Sequence, residues 1–210
     1  MNFWQKGIIP APSLFSRGTD EFCVCQIRPQ ILQFRPISQL TNLWLGYCAF
    51  HAGEYKKSLE VYEGMLKDSD CPPEINVYMA CIYFFLGMYP ESKEQAVKGE
   101  KSPLQNRLFF HVSNKIGDEK QLMHYHSQLC DTVDDQLSLA SIHYLRSHYQ
   151  EALNVYKGIL LKNKNFIALN VYLAMCYYKL DYYDISQVRC ILLLKFSSYL
   201  KIKKASFVDI

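Results

Sequence analysis

The chain has 210 residues, half of them hydrophobic, with 23 basic and 20 acidic side chains and a formal charge of +3. That length suits one or two domains with a buried core, and the composition excludes a disordered chain. The near balance of charge removes the electrostatic case for nucleic-acid binding, which calls for a concentrated basic stripe.

In chain order, residues 1–38 show no helical period and are interrupted by Pro10, Pro12, Pro29 and Pro36, so they read as an irregular N-terminal arm. From Gln39 the pattern turns helical: Leu40–Ala52, a turn at Gly53 and Tyr55–Leu66 make a first hairpin. A second opens at Pro72-Pro73-Glu74, where proline in the first turn is favourable, turns at Gly87 and leaves through Glu91–Lys98. Ser102-Pro103-Leu104-Gln105 starts a third, with serine as the cap and glutamine placed to close a capping box. It turns at Gly117-Asp118 and runs to about Leu129. Thr132 with Asp135 repeats the capping pattern and opens a fourth hairpin that turns at Ser147. A fifth enters over Ile167–Leu180 and turns at Asp181. After Gln187 the sequence drifts into apolar residues and a basic run with Lys195, Lys201, Lys203 and Lys204, which reads as a solvated terminus.

The predicted plan is an arm at 1–38, repeats at 39–187 and a divergent tail at 188–210, the tail being an alternative or truncated end of a longer chain. The repeat units fall at about 39–72, 73–101, 102–131, 133–166 and 167–187, the third degenerate and the last incomplete.

Four of these hairpins share one frame. Gly53 and Gly87 lie 34 residues apart, as do Ser147 and Asp181, and a tyrosine follows each two residues on: Tyr55, Tyr89, Tyr149 and Tyr183. Seven residues before the turn stand Gly46, Ala80, Ala140 and Ala174; five after it stand Ser58, Ser92, Ala152 and Ser186. Two antiparallel helices approach closely only where small residues face each other. Three residues before the turn comes a ring, Phe50, Phe84, Tyr144 or Tyr178, placed as a wedge between neighbouring units. A helix–turn–helix beat of this length is the tetratricopeptide signature. The predicted fold class is all-α, with tetratricopeptide-repeat hairpins stacked as a right-handed α-solenoid. Such architectures present surface to partners instead of enclosing a catalytic pocket.

Chemistry-bearing patterns are sparse. The chain has no Gly-rich phosphate loop and no G-x-S-x-G elbow, so no catalytic residue is assigned. His126 and Cys130 are spaced to share a helical face, but His124 is off it and no fourth ligand pairs with them, so no metal and no cofactor is expected. Cys23-x-Cys25 lacks a second pair; Cys48, Cys81 and Cys176 sit in apolar helical stretches and read as small buried hydrophobes. His143 and His148 straddle the turn at Ser147 and read as half-exposed. Met1–Gly18 has no continuous apolar run of the signal-peptide kind, and Cys190–Leu194 is far short of the about 20 residues that span a bilayer. The reading is a soluble protein in a reducing compartment, with no membrane insertion.

The candidate partner groove follows the inner face of the entering helices: Leu43, Trp44, Tyr47, Val77, Tyr78, Cys81, Leu137, Ser141, Val171, Tyr172 and Met175. None is cationic, which excludes a clamp for a partner's carboxylate. An apolar, aromatic groove suits a partner's amphipathic helix. The same residues equally suit packing against the adjacent repeat, and the sequence leaves both open.

The stretches TNLWLGYCAFHAGEYKKSLEVYE, LQNRLFFHVSNKIGDEKQLMHYHSQL, DQLSLASIHYLRSHYQEALNVYKGILL and ALNVYLAMCYYKLDYYDISQ resemble the tetratricopeptide subunit of intraflagellar transport complex B, DYF-13 type. The likeness runs from Thr41 to Gln187 and includes the irregular segment Leu104–Leu129. That family starts with a basic helical segment, unlike residues 1–40, and continues through more repeats, so the chain looks like a short form. The resemblance implies a non-enzymatic scaffold that docks on other complex B subunits, helps carry motility-related ciliary cargo and supports cilium assembly. It implies a place in the cilium, at axoneme and basal body, and in the cytoplasm. The alternative is a generic repeat adaptor in another assembly.

Overall fold

The computed structural model describes residues 39–67, 71–164 and 166–191, with the backbone alone for residues 39 and 40. The arm at 1–38 and the tail beyond 191 lie outside the described residues. All regular structure among the described residues is helical: α1 (Gln39–Ala52), α2 (Tyr55–Met65), α3 (Ile75–Phe85), α4 (Tyr89–Val97), α5 (Pro103–Ile116), α6 (Glu119–His126), α7 (Val133–Leu145), α8 (Tyr149–Lys162) and α9 (Leu169–Lys179), followed by a helical stretch at 183–191. The chain divides into two compact units between Leu129 and Cys130. The first holds the hairpins α1/α2, α3/α4 and α5/α6; the second holds α7/α8 and the hairpin of α9 with 183–191.

Every one of these hairpins turns on a left-handed residue: Gly53 (φ 84°), Gly87 (81°), Gly117 (83°), Ser147 (64°) and Asp181 (65°). The next N–H then reaches back five residues, from Glu54 to the Ala49 carbonyl (2.9 Å), Met88 to Tyr83 (2.9 Å), Asp118 to Ser113 (3.0 Å), His148 to His143 (2.8 Å) and Tyr182 to Tyr177 (3.0 Å). These bonds satisfy carbonyls that the helix end leaves open, as in a Schellman close. Glycine adopts this backbone freely, whereas a side chain with a β-carbon meets steric resistance there.

Both small-residue sets are buried. Gly46, Ser58, Ala80, Ser92, Ala140, Ala152, Ala174 and Ser186 all lie inside. In three hairpins the serine Oγ donates to the carbonyl of the small residue opposite: Ser58 to Gly46 (2.7 Å), Ser92 to Ala80 (2.7 Å) and Ser186 to Ala174 (2.9 Å). The α7/α8 hairpin sets Ala152 against Ala140 and carries no such bond at that place. In α5/α6 the same positions are Phe110 and Leu122, both buried, so the degenerate repeat keeps the turn but exchanges a small crossing for a large one. At Gly46 the absence of a side chain is a requirement, because a β-carbon there would overlap the Tyr62 ring.

Each ring before a turn meets the tyrosine after it. Centroid distances are 5.7 Å for Phe50–Tyr55, 5.6 Å for Phe84–Tyr89, 5.3 Å for Tyr144–Tyr149 and 5.3 Å for Tyr178–Tyr183. Phe85 of the second hairpin then packs on both members of the first pair, 5.2 Å from Phe50 and 6.0 Å from Tyr55.

The caps form in part as expected. Ser102 Oγ accepts the Gln105 N–H (3.2 Å), and Thr132 Oγ1 accepts the Asp135 N–H (3.3 Å). At Ser102 the returning half of the capping box does not form. The Gln105 side chain instead donates from Nε2 to the Ala96 and Gly99 carbonyls (2.7 and 3.4 Å), tying the end of α4 to the start of α5. The Ala96 carbonyl already accepts the Gly99 N–H (3.1 Å) and offers Gln105 its second lone pair. The Asp135 carboxylate likewise accepts from the Cys130 N–H (2.9 Å).

Ser147→Gly relieves a left-handed β-carbon at the cost of a longer-reaching unfolded chain and a weak exposed bond from Tyr149 Oη (3.3 Å). It is expected to stabilise the second unit by about 0.5–1 kcal/mol. The measurement is the urea midpoint at constant m; a lower midpoint for the glycine variant rejects the assignment.

Candidate partner-binding surface

In the first unit, Leu43, Trp44 and Tyr47 are half-buried on α1. Trp44 and Tyr47 meet edge to face at 5.6 Å and Tyr47 meets His51 at 4.3 Å, giving an aromatic string along one side of the helix. On α3 the outcome differs. Val77 is 2% exposed and Cys81 is 0% exposed, because α3 is packed against α2, α4 and α5. These two candidates belong to the core and do not line an open face. Tyr78 keeps some surface but leans on Tyr62 of the preceding hairpin at 6.0 Å, and Tyr62 Oη reaches the Leu43 carbonyl at 3.4 Å.

In the second unit, Leu137, Val171 and Met175 are half-buried. Ser141 is buried, its Oγ donating to the Ser138 carbonyl at 2.7 Å. Tyr172 is buried too, stacked on Tyr156 at 5.1 Å and 18°. Tyr62/Tyr78 and Tyr156/Tyr172 occupy the same places in their hairpins: a ring on an exiting helix against a ring on the next entering helix. Of the two uses the sequence leaves open, Tyr78 and Tyr172 serve packing between repeats. The accessible remainder is Leu43, Trp44, Tyr47 and the edge of Tyr78 in the first unit, and Leu137, Val171 and Met175 in the second.

Sequence reasoning missed a polar clasp between the helices of a hairpin. Gln95 Nε2 donates to Asn76 Oδ1 (2.9 Å), and Arg189 Nη1 donates to Asn170 Oδ1 (2.7 Å), at equivalent positions. The signal is an asparagine at the same distance before the turn in both hairpins. Arg189 sits on the helical stretch 183–191, which continues through the point where the sequence reading places the start of the tail.

The inner positions are neutral near pH 7. Burial pushes the Tyr62, Tyr78, Tyr156 and Tyr172 phenols above their ordinary range, and pushes the Cys81 and Cys176 thiols up to about 12. Such thiols are not nucleophiles. His111 on α5 is buried against Phe84 (6.1 Å) and beside Phe110 (6.0 Å), with no hydrogen-bond partner for Nε2. Burial first, then Arg107 and Lys115 one turn to either side, pulls its pKa down to about 4. What these surfaces supply is apolar contact and neutral hydrogen-bonding groups.

The metal pattern dissolves on geometry. α6 ends at His126, so Cys130 does not continue that helical face. His124 Nε2 lies 2.8 Å from Gln128 Nε2, His126 rests against Phe110 at 6.0 Å, and both histidines are exposed. Among the described residues no group of three or more His, Cys, Asp or Glu side chains converges, and no helix is long and apolar enough to cross a membrane. Cys23 and Cys25 lie outside the described residues. His143 is half-buried and His148 exposed, their rings 6.1 Å apart.

Left-handed turns, small crossings and ring contacts from hairpin to hairpin define a tetratricopeptide repeat protein. Two solved structures share the fold. One is a tetratricopeptide protein of Thermus thermophilus (TM-score 0.63, 16% identity, 82% of this chain and 100% of that one). The other is a tetratricopeptide repeat protein of Parabacteroides merdae (TM-score 0.57, 13% identity, 77% and 67%). The chain belongs to the Intraflagellar transport protein 56 family, whose model matches residues 42–208, a range that includes most of the tail. It is similar to the Intraflagellar transport protein 56 homolog of Caenorhabditis elegans, 44% identical over 141 residues, which are 67% of this chain and 25% of that protein. The chain thus spans about a quarter of that relative's length.

Gly46→Ala drives a methyl into the buried Tyr62 ring and is expected to destabilise the first unit by about 1–3 kcal/mol in chemical denaturation. An unchanged midpoint shows that the two helices do not approach as described. The imidazole of His111 gives a pH test. Its folded pKa lies below the ordinary 6.5, so the unfolded chain takes up the proton first. Its contribution is complete above about pH 6.5 and is lost as pH falls toward 4, on the order of 3 kcal/mol over the interval. His111→Gln flattens that part of the stability profile; a slope identical to the parent's refutes a buried neutral imidazole.

Proposed function

We propose that the chain is a non-enzymatic scaffold of intraflagellar transport complex B, a short form of the DYF-13 type. It supports cilium assembly and the carriage of motility-related cargo. Membership of the Intraflagellar transport protein 56 family over residues 42–208 carries this reading, and the neutral, half-buried aromatic surface on α1 supports it physically. Other complex B subunits and ciliary cargo proteins are the partners, with no nucleic acid and no membrane insertion. The protein acts in the cilium, at axoneme and basal body, with a cytoplasmic pool.

The mechanism is docking of a partner's amphipathic helix. Its apolar side lies along Trp44 and Tyr47 in the first unit, or along Leu137, Val171 and Met175 in the second. No residue acts as acid, base or nucleophile. The test is affinity capture with the full chain from ciliated cells. Complex B subunits are expected in the eluate, and Trp44→Ala is expected to weaken their capture by at least about tenfold, the loss typical of an aromatic anchor, while the helical circular dichroism at the capture temperature is retained. Recovery of a different stable assembly without complex B subunits overturns the assignment in favour of a generic adaptor.

A further inference from the structure

The buried apolar residues form two clusters that share no member among the described residues. One runs from Phe50 to Val112 and belongs to the first unit; the other runs from Ala140 to Tyr177 and belongs to the second. The ties from hairpin to hairpin respect the same division. Tyr62 meets Tyr78 within the first unit and Tyr156 meets Tyr172 within the second, each pair placed nine residues after one turn and nine before the next. At the same places between the turns at Gly117 and Ser147 stand His126 and Ser138, so the chain carries no tyrosine at either. Gln105 and Asp135 both stand twelve residues before a turn. Gln105 reaches the Ala96 and Gly99 carbonyls, in the first unit, whereas Asp135 accepts from the Cys130 N–H, in the second.

Two features weaken the second unit relative to the first. Among the described residues its cluster holds ten buried apolar residues against fifteen. The stability of a small cooperative body rises with the apolar surface it buries. Its two turns also hold β-carbons in the left-handed region, at Ser147 (φ 64°) and Asp181 (65°), where the first unit has Gly53, Gly87 and Gly117. That backbone is unfavourable for an L side chain.

We infer that the two units open separately and that the second opens first. Opening follows contiguous buried clusters, and in repeat proteins cooperativity passes from one repeat to the next through the interface they share. Opening of the second unit takes apart the surface of Leu137, Val171 and Met175 and leaves that of Leu43, Trp44 and Tyr47 standing. The chain thereby loses one of its two apolar faces without the other. This order of opening does not depend on the function proposed above.

The test is urea unfolding of the full chain, followed by tryptophan fluorescence and by far-ultraviolet circular dichroism. Both tryptophans, Trp4 and Trp44, precede Leu129, so tryptophan emission arises outside the second unit. The helical signal is expected to fall in two steps, the first with no change in fluorescence. Ala152→Leu overpacks the buried crossing of the second unit. It is expected to move the first step to lower urea and leave the fluorescence midpoint in place. Should that variant not fold, hydrogen exchange of the parent at low urea keeps the test. Amides of α7, α8 and α9 are then expected to exchange together, at least about tenfold faster than those of α3 and α5. A single transition shared by both probes overturns this order, as does a fluorescence step that comes first. A fluorescence midpoint that moves with Ala152→Leu, or one common exchange rate across α3, α5, α7, α8 and α9, overturns it too.

Discussion

The distance between two backbones at one crossing in each hairpin governs the rest of the molecule. A serine hydroxyl inside a core needs an acceptor, and burying it without one costs free energy on the scale of the bond lost. The carbonyl opposite already accepts within its own helix but has a second lone pair. Ser58, Ser92 and Ser186 reach that lone pair because Gly46, Ala80 and Ala174 let the helices close to 2.7–2.9 Å from oxygen to oxygen. A larger residue on either side would separate the helices and strand the hydroxyl. Serine and its small partner are therefore one requirement written at two positions. Ala140 with Ala152 meets it in the other consistent way, with no donor to satisfy.

Once the crossing is set, the directions of the rings follow. Tyr62 and Tyr156 leave their helices at the same place relative to the crossing and each meets a tyrosine on the next entering helix, Tyr78 and Tyr172. The α5/α6 hairpin shows what happens when the crossing changes. Phe110 and Leu122 fill the place of two small residues, and the neighbour presented to Phe84 is the imidazole of His111. The left-handed turn at Gly117 survives all this, because it depends on six consecutive residues of backbone, 113–118, and on nothing across the hairpin.

This division explains how much the amino-acid order discloses. Turn residues and crossing residues were legible because both obey constraints confined to a dozen consecutive positions, and repetition in one frame separates them from coincidence. Access to solvent was not legible in that way. Leu43 and Val77 hold the same place in the frame, yet Leu43 is half-buried and Val77 is core, since α3 has helices on either side of it. A single helix's periodicity says which side is apolar and is silent on how many neighbours cover it. Gln105 illustrates the same limit: its side chain fits the capping box but donates instead to the carbonyls of Ala96 and Gly99, at and just beyond the end of another helix.

Neutrality of the inner positions bears on how such a surface selects partners. Of the residues that keep some surface, Leu43, Trp44, Leu137, Val171 and Met175 have no ionisable group. A face without charge gains little from long-range steering, which depends on complementary fields and fades with salt. In the docking proposed for this face, encounter is set by diffusion and orientation, and discrimination falls to shape, through how well a partner's side chains fit between Trp44, Tyr47 and their neighbours. Shape of that kind is only as well defined as the helices that display it. Those helices are held in place by crossings too tight to admit a methyl group at Gly46, so the shape of the proposed docking face rests on packing precision inside.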